Sequence, residues 1–88
     1  SFPSKLIEYM STGIPTITTR IPSIPSDLIN YLNYFESDDV KGLKVGIENM
    51  LLSDKKDLYH KAEKAKAYVL ENYTYINVAK KLLNLISF

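Results

Sequence analysis

Ser4, Lys5 and Glu8 open the stretch of this chain whose residue types and spacing point most directly to chemistry. Pro3-Ser4 leads into a predicted helix that begins at Lys5. A helix N-terminus presents unpaired backbone N–H groups and about half a positive charge, an arrangement suited to phosphate. A serine hydroxyl and a lysine ammonium at that end add donors. Glu8 lies one turn further on, and a carboxylate can accept the two hydroxyl donors of a ribose. Phosphate donors followed by a carboxylate one turn later fit a nucleotide. The plainer alternative makes Ser4 only an N-cap, Lys5 a solvated cation and Glu8 a surface acid.

The other reactive side chains fit bland roles better. His60 stands among Lys55, Lys56, Lys61, Lys64 and Lys66 with no acid–nucleophile pair nearby in sequence, so a surface histidine is expected. Those lysines invite a phosphate or anionic-lipid reading. Asp54, Asp57, Glu63 and Glu71 interleave with them, which favours a solvated helix face laced with i,i+4 pairs. Tyr9, Tyr31, Tyr34, Tyr59, Tyr68, Tyr73 and Tyr75 are spread as core rim and packing residues rather than as a stacking platform.

The opening run Ser1-Phe2-Pro3-Ser4-Lys5-Leu6-Ile7-Glu8-Tyr9-Met10-Ser11-Thr12-Gly13-Ile14-Pro15-Thr16-Ile17 resembles a known signature. It is that of group 1 (family 4) glycosyltransferases of the GT-B fold, in which FPSK, a hydrophobic pair, EYM and a G-x-P step follow one another. Ile21-Pro22-Ser23-Ile24-Pro25 resembles that family's PGIP or GGIPE loop. Tyr34-Phe35-Glu36-Ser37-Asp38-Asp39 resembles the strand and helix start after it, and Tyr73-Thr74-Tyr75 the aromatic step before the terminal helix. The resemblance covers nearly the whole chain.

It implies sugar transfer from a nucleotide-diphospho-sugar, usually with retention, to a saccharide or glycolipid acceptor held by another domain. It places the chain as the C-terminal half of the donor-binding domain. Glu8 becomes the second acid of the family's Glu-x7-Glu motif and holds the donor ribose; Ser4 and Lys5 meet the diphosphate. The first acid falls one position before Ser1, and the family's other phosphate-binding cations also lie upstream, so no complete catalytic set stands in this chain. Pro22-Ser23 replaces the commoner Gly-Gly. No metal or cofactor is implied. A cytoplasmic enzyme, at the inner face of a bacterial membrane and engaged in polysaccharide assembly, is the setting that the family suggests.

Several elements must position these residues. Leu6, Ile7, Tyr9 and Met10 give a helix over Lys5–Thr12 an apolar face, with Gly13 as its stop. Pro15–Thr19 is β-branched and reads as a strand. Ile21–Ser26, with two prolines and two serines, is a loop, and Ser26 or Asp27 caps a short helix through Leu32. Tyr34-Phe35-Glu36 reads as a second strand. Ser37 is the expected cap of a helix whose inward face is Val40, Leu43, Ile47, Met50 and Leu51. Gly42 and Gly46 within it cost about 1 kcal/mol each against alanine, so tertiary packing must hold it. Asp54 starts a helix striped by Leu58, Ala62, Ala65 and Val69, and Asn72–Thr74 break it. Thr74 caps a last helix faced by Tyr75, Val78, Ala79, Leu82, Leu83 and Ile86.

Strands alternating with helices predict an α/β fold: two short parallel strands with about five helices, a partial Rossmann-like unit. Two strands are too few for an independent sheet, and the chain opens without an initiator Met, so residues 1–88 read as a fragment of a longer enzyme. An isolated half-sheet with open edges favours self-association. Composition excludes several classes. Hydrophobic residues make up 45% and the net charge is +1, which argues against disorder and against nucleic acid. The chain has no cysteine and one histidine, so a disulfide scaffold, a thiolate zinc site and a multi-histidine metal site are ruled out within it. No apolar run approaches the roughly 20 residues of a membrane span. The competing functional classes are a helical protein-interaction module and a nucleotide- or phosphate-binding module without transfer activity.

Overall fold

A computed structural model of the chain describes residues 4–74 together with 79 and 83. The elements run in the order α1 (Ser4–Met10), β1 (Ile17–Thr18), a 3-10 helix (Ser26–Tyr31), β2 (Asn33–Tyr34), α2 (Val40–Leu52) and α3 (Lys55–Asn72). β1 and β2 pair in parallel, Ile17 opposite Asn33 and Thr18 opposite Tyr34. The Asn33 N–H donates to the Thr16 carbonyl and the Phe35 N–H to the Thr18 carbonyl, both at 3.0 Å. The Asn33 side-chain amide also donates to the Thr16 carbonyl at 3.0 Å. The parallel pairing expected from the alternation of elements is present. Both strands are shorter than predicted, and the second begins one residue early: the ladder stops where Thr19 and Phe35 lead away into loops. The chain is a small mixed α/β protein, mostly helical, with a two-stranded parallel sheet.

α1 ends at Met10, earlier than predicted, because polar side chains close its last turn. The Ser11 hydroxyl donates to the Glu8 carbonyl and the Thr12 hydroxyl to the Tyr9 carbonyl, each at 2.6 Å. Gly13 follows at φ 75°, the left-handed conformation expected of a helix stop. A Cβ there would stand 2.8 Å from Glu63 Oε1, so α3 approaches this turn closely.

The inward faces of the two long helices differ in how well the sequence foretold them. On α3, Ala62, Ala65 and Val69 are buried and Leu58 is half-buried, as the stripe predicts. Asp54 caps it, accepting from the Asp57 N–H at 3.1 Å. On α2 the expectation holds only for Leu43 and Met50, which are half-buried. Val40 is 84% exposed, Leu51 78% and Ile47 50%, while Gly42 and Gly46 are the buried residues. Two glycines four apart lay a flat strip along the helix. Phe35, Ser37 and Ile17 come so close to that strip that a Cβ on Gly46 would stand 2.5 Å from Phe35 Cδ1, and one on Gly42 would overlap Ser37. The cap is also corrected. Asp39, not Ser37, holds the N-cap, accepting from the Gly42 N–H at 2.7 Å, and the Ser37 hydroxyl donates to the same carboxylate oxygen at 2.7 Å.

The core is formed by Met10 of α1, Ile24, Leu28 and Leu32 from the β1–β2 connection, and Ala65, Val69 and Tyr73 from α3 and its end. Ile24 comes from the proline-serine segment, so that loop is tied inward rather than merely exposed. Tyr9, expected on the apolar face of α1, is 59% exposed. Neither Ser26 nor Asp27 caps the 3-10 helix: Pro25 is its N-cap, without a side-chain cap bond. The predicted last helix falls outside the described residues except at Ala79 and Leu83, both helical.

Candidate functional site

Lys5 and Glu8 lie on the solvent side of α1, whose other side sets Leu6, Ile7 and Met10 against the core. Their spacing of three brings Lys5 Nζ to 3.6 Å from Glu8 Oε2, with the two side chains 82% and 66% exposed. Ser4, the first residue of α1, is exposed beside them. The helix therefore brings a hydroxyl, an ammonium and a carboxylate to one open surface. An ion pair so exposed adds little to stability. It leaves both groups able to turn towards an outside partner, and Lys5 must leave Glu8 to meet an anion.

A second arrangement lies at the carboxyl ends of the strands. Thr19, Arg20 and Ile21 follow β1, and Phe35, Glu36, Ser37 and Asp38 follow β2; together they line a hollow of about 310 Å³. In open α/β sheets ligands bind outside the carboxyl ends of the strands. The Arg20 guanidinium sits over the Tyr34 ring, 4.1 Å from its centroid, a cation–π contact that orients it. The Tyr34 hydroxyl donates to the Ile29 carbonyl at 2.6 Å. Burial raises the Tyr34 phenol above its ordinary pKa, and Arg20 pulls it partly back. Arg20, Phe35 and Glu36 also line an adjoining hollow of about 430 Å³, which continues past Asn30, Asn33, Asn49 and Ser53 to Lys61.

Lys61 corrects the reading of its cluster as a wholly solvated face. Its ammonium donates to the Leu32 carbonyl at 2.8 Å and to Asn33 Oδ1 at 3.3 Å, tying α3 to β2, and burial lowers its pKa. Arg20 was not singled out in the sequence reading, although it is the single arginine and directly follows a β-branched segment. His60 is exposed, as expected. Tyr31, Tyr34, Tyr68 and Tyr73 pack on or in the core, whereas Tyr59 is 52% exposed.

Among the described residues no group of three or more His, Asp or Glu side chains stands together as a metal site. None of their helices is long and apolar enough to cross a membrane. No protein-family model, curated protein or solved structure matches this chain.

Proposed function

We propose that this chain is the C-terminal half of the Rossmann-like donor domain of a GT-B glycosyltransferase, with Ser4 and Lys5 meeting the diphosphate and Glu8 the ribose of a nucleotide-diphospho-sugar. The observation that carries the proposal is the exposed Lys5–Glu8 pair at 3.6 Å, which offers a cation and a two-site acceptor one turn apart on a single helix face. The parallel strand pair is compatible with it. In this reading charge develops on the diphosphate as the sugar–phosphate bond breaks. Lys5 and the N–H groups at the start of α1 stabilise that charge, and such electrostatic assistance lowers a barrier by several kcal/mol in a dry cleft. Glu8 holds the ribose hydroxyls and so fixes the donor's register. The acceptor, a saccharide or glycolipid, is held by a domain outside this chain. The parent enzyme works in the cytoplasm at the membrane face.

The test is donor-dependent sugar transfer by the longer polypeptide that carries this chain, with Glu8→Ala and Lys5→Ala. Each substitution lowers kcat/KM by roughly 10²-fold while the protein stays folded. Unchanged transfer by Glu8→Ala removes the ribose role. A second reading has one observation in its favour: the outward apolar stripe of α2, Val40, Ile47, Leu51 and Leu52, suits a helical protein-interaction module. Under that reading Leu51→Lys abolishes partner binding and Glu8→Ala has no effect.

A further inference from the structure

We propose that the outward face of α2 pairs with the same face of a second copy of this chain, antiparallel about a two-fold axis that passes near Gly46. The inference rests on the second reading above, in which this face binds protein, and it names the partner. Three observations carry it. The first is extent. Val40, Ile47 and Leu51, spaced by seven and four, line one stripe of α2, and Leu52 flanks it. Ile14 and Tyr59 continue the patch beside Ile47 and Leu51. All six side chains leave half or more of their surface exposed. Together they offer several hundred Å² of apolar surface, on the order of the roughly 800 Å² that each partner gives a standard interface.

The second observation is shape. A hollow of about 340 Å³ opens between the carboxyl half of α2, the start of α3 and the Ile14-Pro15 turn; Ile47, Met50, Leu51 and Leu58 give it apolar walls. Val40 projects at the other end of the same stripe. A two-fold interface uses one patch on both copies, so a projection at one end must meet a recess at the other. Successive helical residues rise about 1.5 Å, which puts residues 40 and 52 about 9 Å on either side of residue 46. The antiparallel two-fold thus brings Val40 of each copy level with Leu51 and Leu52 of the other, at the mouth of the hollow. Ile47 lies beside the axis and meets its own counterpart.

The third observation is charge. Lys44 and Glu48 border the stripe as a pair at 3.9 Å, their side chains 74% and 55% exposed. They stand equally far on either side of residue 46, so the same axis sets each Lys44 opposite the partner's Glu48, twice over. Parallel pairing would set like charges together instead. The sheet edges compete poorly. β1 and β2 have two residues each, and the Lys61 ammonium already holds the Leu32 carbonyl beside β2.

The experiment is sedimentation equilibrium of the 88-residue chain from about 5 to about 500 µM. The mass rises from 10.1 kDa towards twice that value, with a Kd of order 10–100 µM, so the chain is monomeric at a few micromolar. Lys44→Glu and Glu48→Lys each weaken association about tenfold with unchanged far-UV circular dichroism, and mixing the two variants restores it. The chain has no cysteine, so single thiols report the register: Val40→Cys cross-links to Leu51→Cys in preference to itself, and Ile47→Cys cross-links to its own copy. The proposal is overturned if the mass stays at 10.1 kDa throughout, if Val40→Cys prefers itself, or if the mixed charge variants associate no better than either alone. A chain that stays monomeric yet sediments with phosphatidylglycerol vesicles also overturns it, in favour of a lipid surface. The broader protein-binding reading is tested separately, on the binding of a different protein to Leu51→Lys, so the two failures are distinguishable.

Discussion

Asp27 shows how one side chain can serve a different part of the fold from the one its position advertises. It stands in the first turn of the 3-10 helix, yet its carboxylate accepts from the Tyr68 hydroxyl at 2.7 Å and from the Tyr73 hydroxyl at 2.9 Å. The Tyr31 ring stacks on Tyr68 with centroids 5.0 Å apart, closing the cluster. The bond to Asp27 pushes the Tyr68 phenol up to about 12, and burial with the same bond raises Tyr73 as well. Both folded values lie above the unfolded value of 10.0, so the stabilisation is complete below pH 10 and is lost as pH rises through the folded values. Thermal midpoints should therefore fall steeply from pH 10 upwards, in step with tyrosinate absorbance. Tyr73→Phe should remove part of that fall and cost about 1–2 kcal/mol at neutral pH. Asp39 titrates in the opposite sense. The Gly42 N–H, with help from the Ser37 hydroxyl, holds its carboxyl below the ordinary 3.8. Its contribution is present above that unfolded value and disappears as pH falls through the lower folded one. Amide exchange at the start of α2 should accelerate as pH drops below about 4 beyond the intrinsic pH trend, and Asp39→Asn should flatten that excess.

α2 shows a local rule defeated by a close approach. By helix propensity, Gly42→Ala and Gly46→Ala each gain about 1 kcal/mol. By packing they lose, since the new methyl on Gly46 meets Phe35 Cδ1 at 2.5 Å and Ile17 Cδ1 at 3.3 Å, and the one on Gly42 meets the Ser37 backbone. The β2–α2 corner is short and cannot step aside, so overpacking decides the sign. Each alanine should destabilise by about 1–3 kcal/mol in urea unfolding. A gain in stability at both positions would show that α2 does not rest on its glycine strip. α3 obeys its pattern because its small residues and its stripe coincide: Ala62, Ala65 and Val69 are buried, and Ala65 and Val69 join Met10 of α1 and Leu28 of the 3-10 helix in the core.

The apolar surface of the whole molecule is divided unevenly. The core gathers α1, the β1–β2 connection and the end of α3, whereas α2 turns Val40, Leu51 and Leu52 outward. The radius of gyration is 14.3 Å, above the roughly 12 Å of a compact chain of this length, in keeping with that layout. In the 88-residue chain, Val40→Lys and Leu52→Lys should change unfolding free energy by no more than about 0.5 kcal/mol. A loss of several kcal/mol at either position would mean that this stripe is buried after all.

Much was legible without coordinates because it depends on neighbours along the chain. Asp54 as a cap, the 62-65-69 stripe, the left-handed Gly13 and the parallel order of two strands follow from backbone preference and helical period, which act over a few residues. That Glu8 lies one turn beyond Lys5 on α1 belongs to the same class, whereas their ion pair was not foreseen. Tertiary structure decided which side of α2 is inside, where Asp27 and Lys61 spend their hydrogen bonds, and that Arg20 and Glu36 share a hollow. Those outcomes join residues far apart in sequence. They turn on how closely two backbones approach, and hydrophobic periodicity carries no measure of that distance.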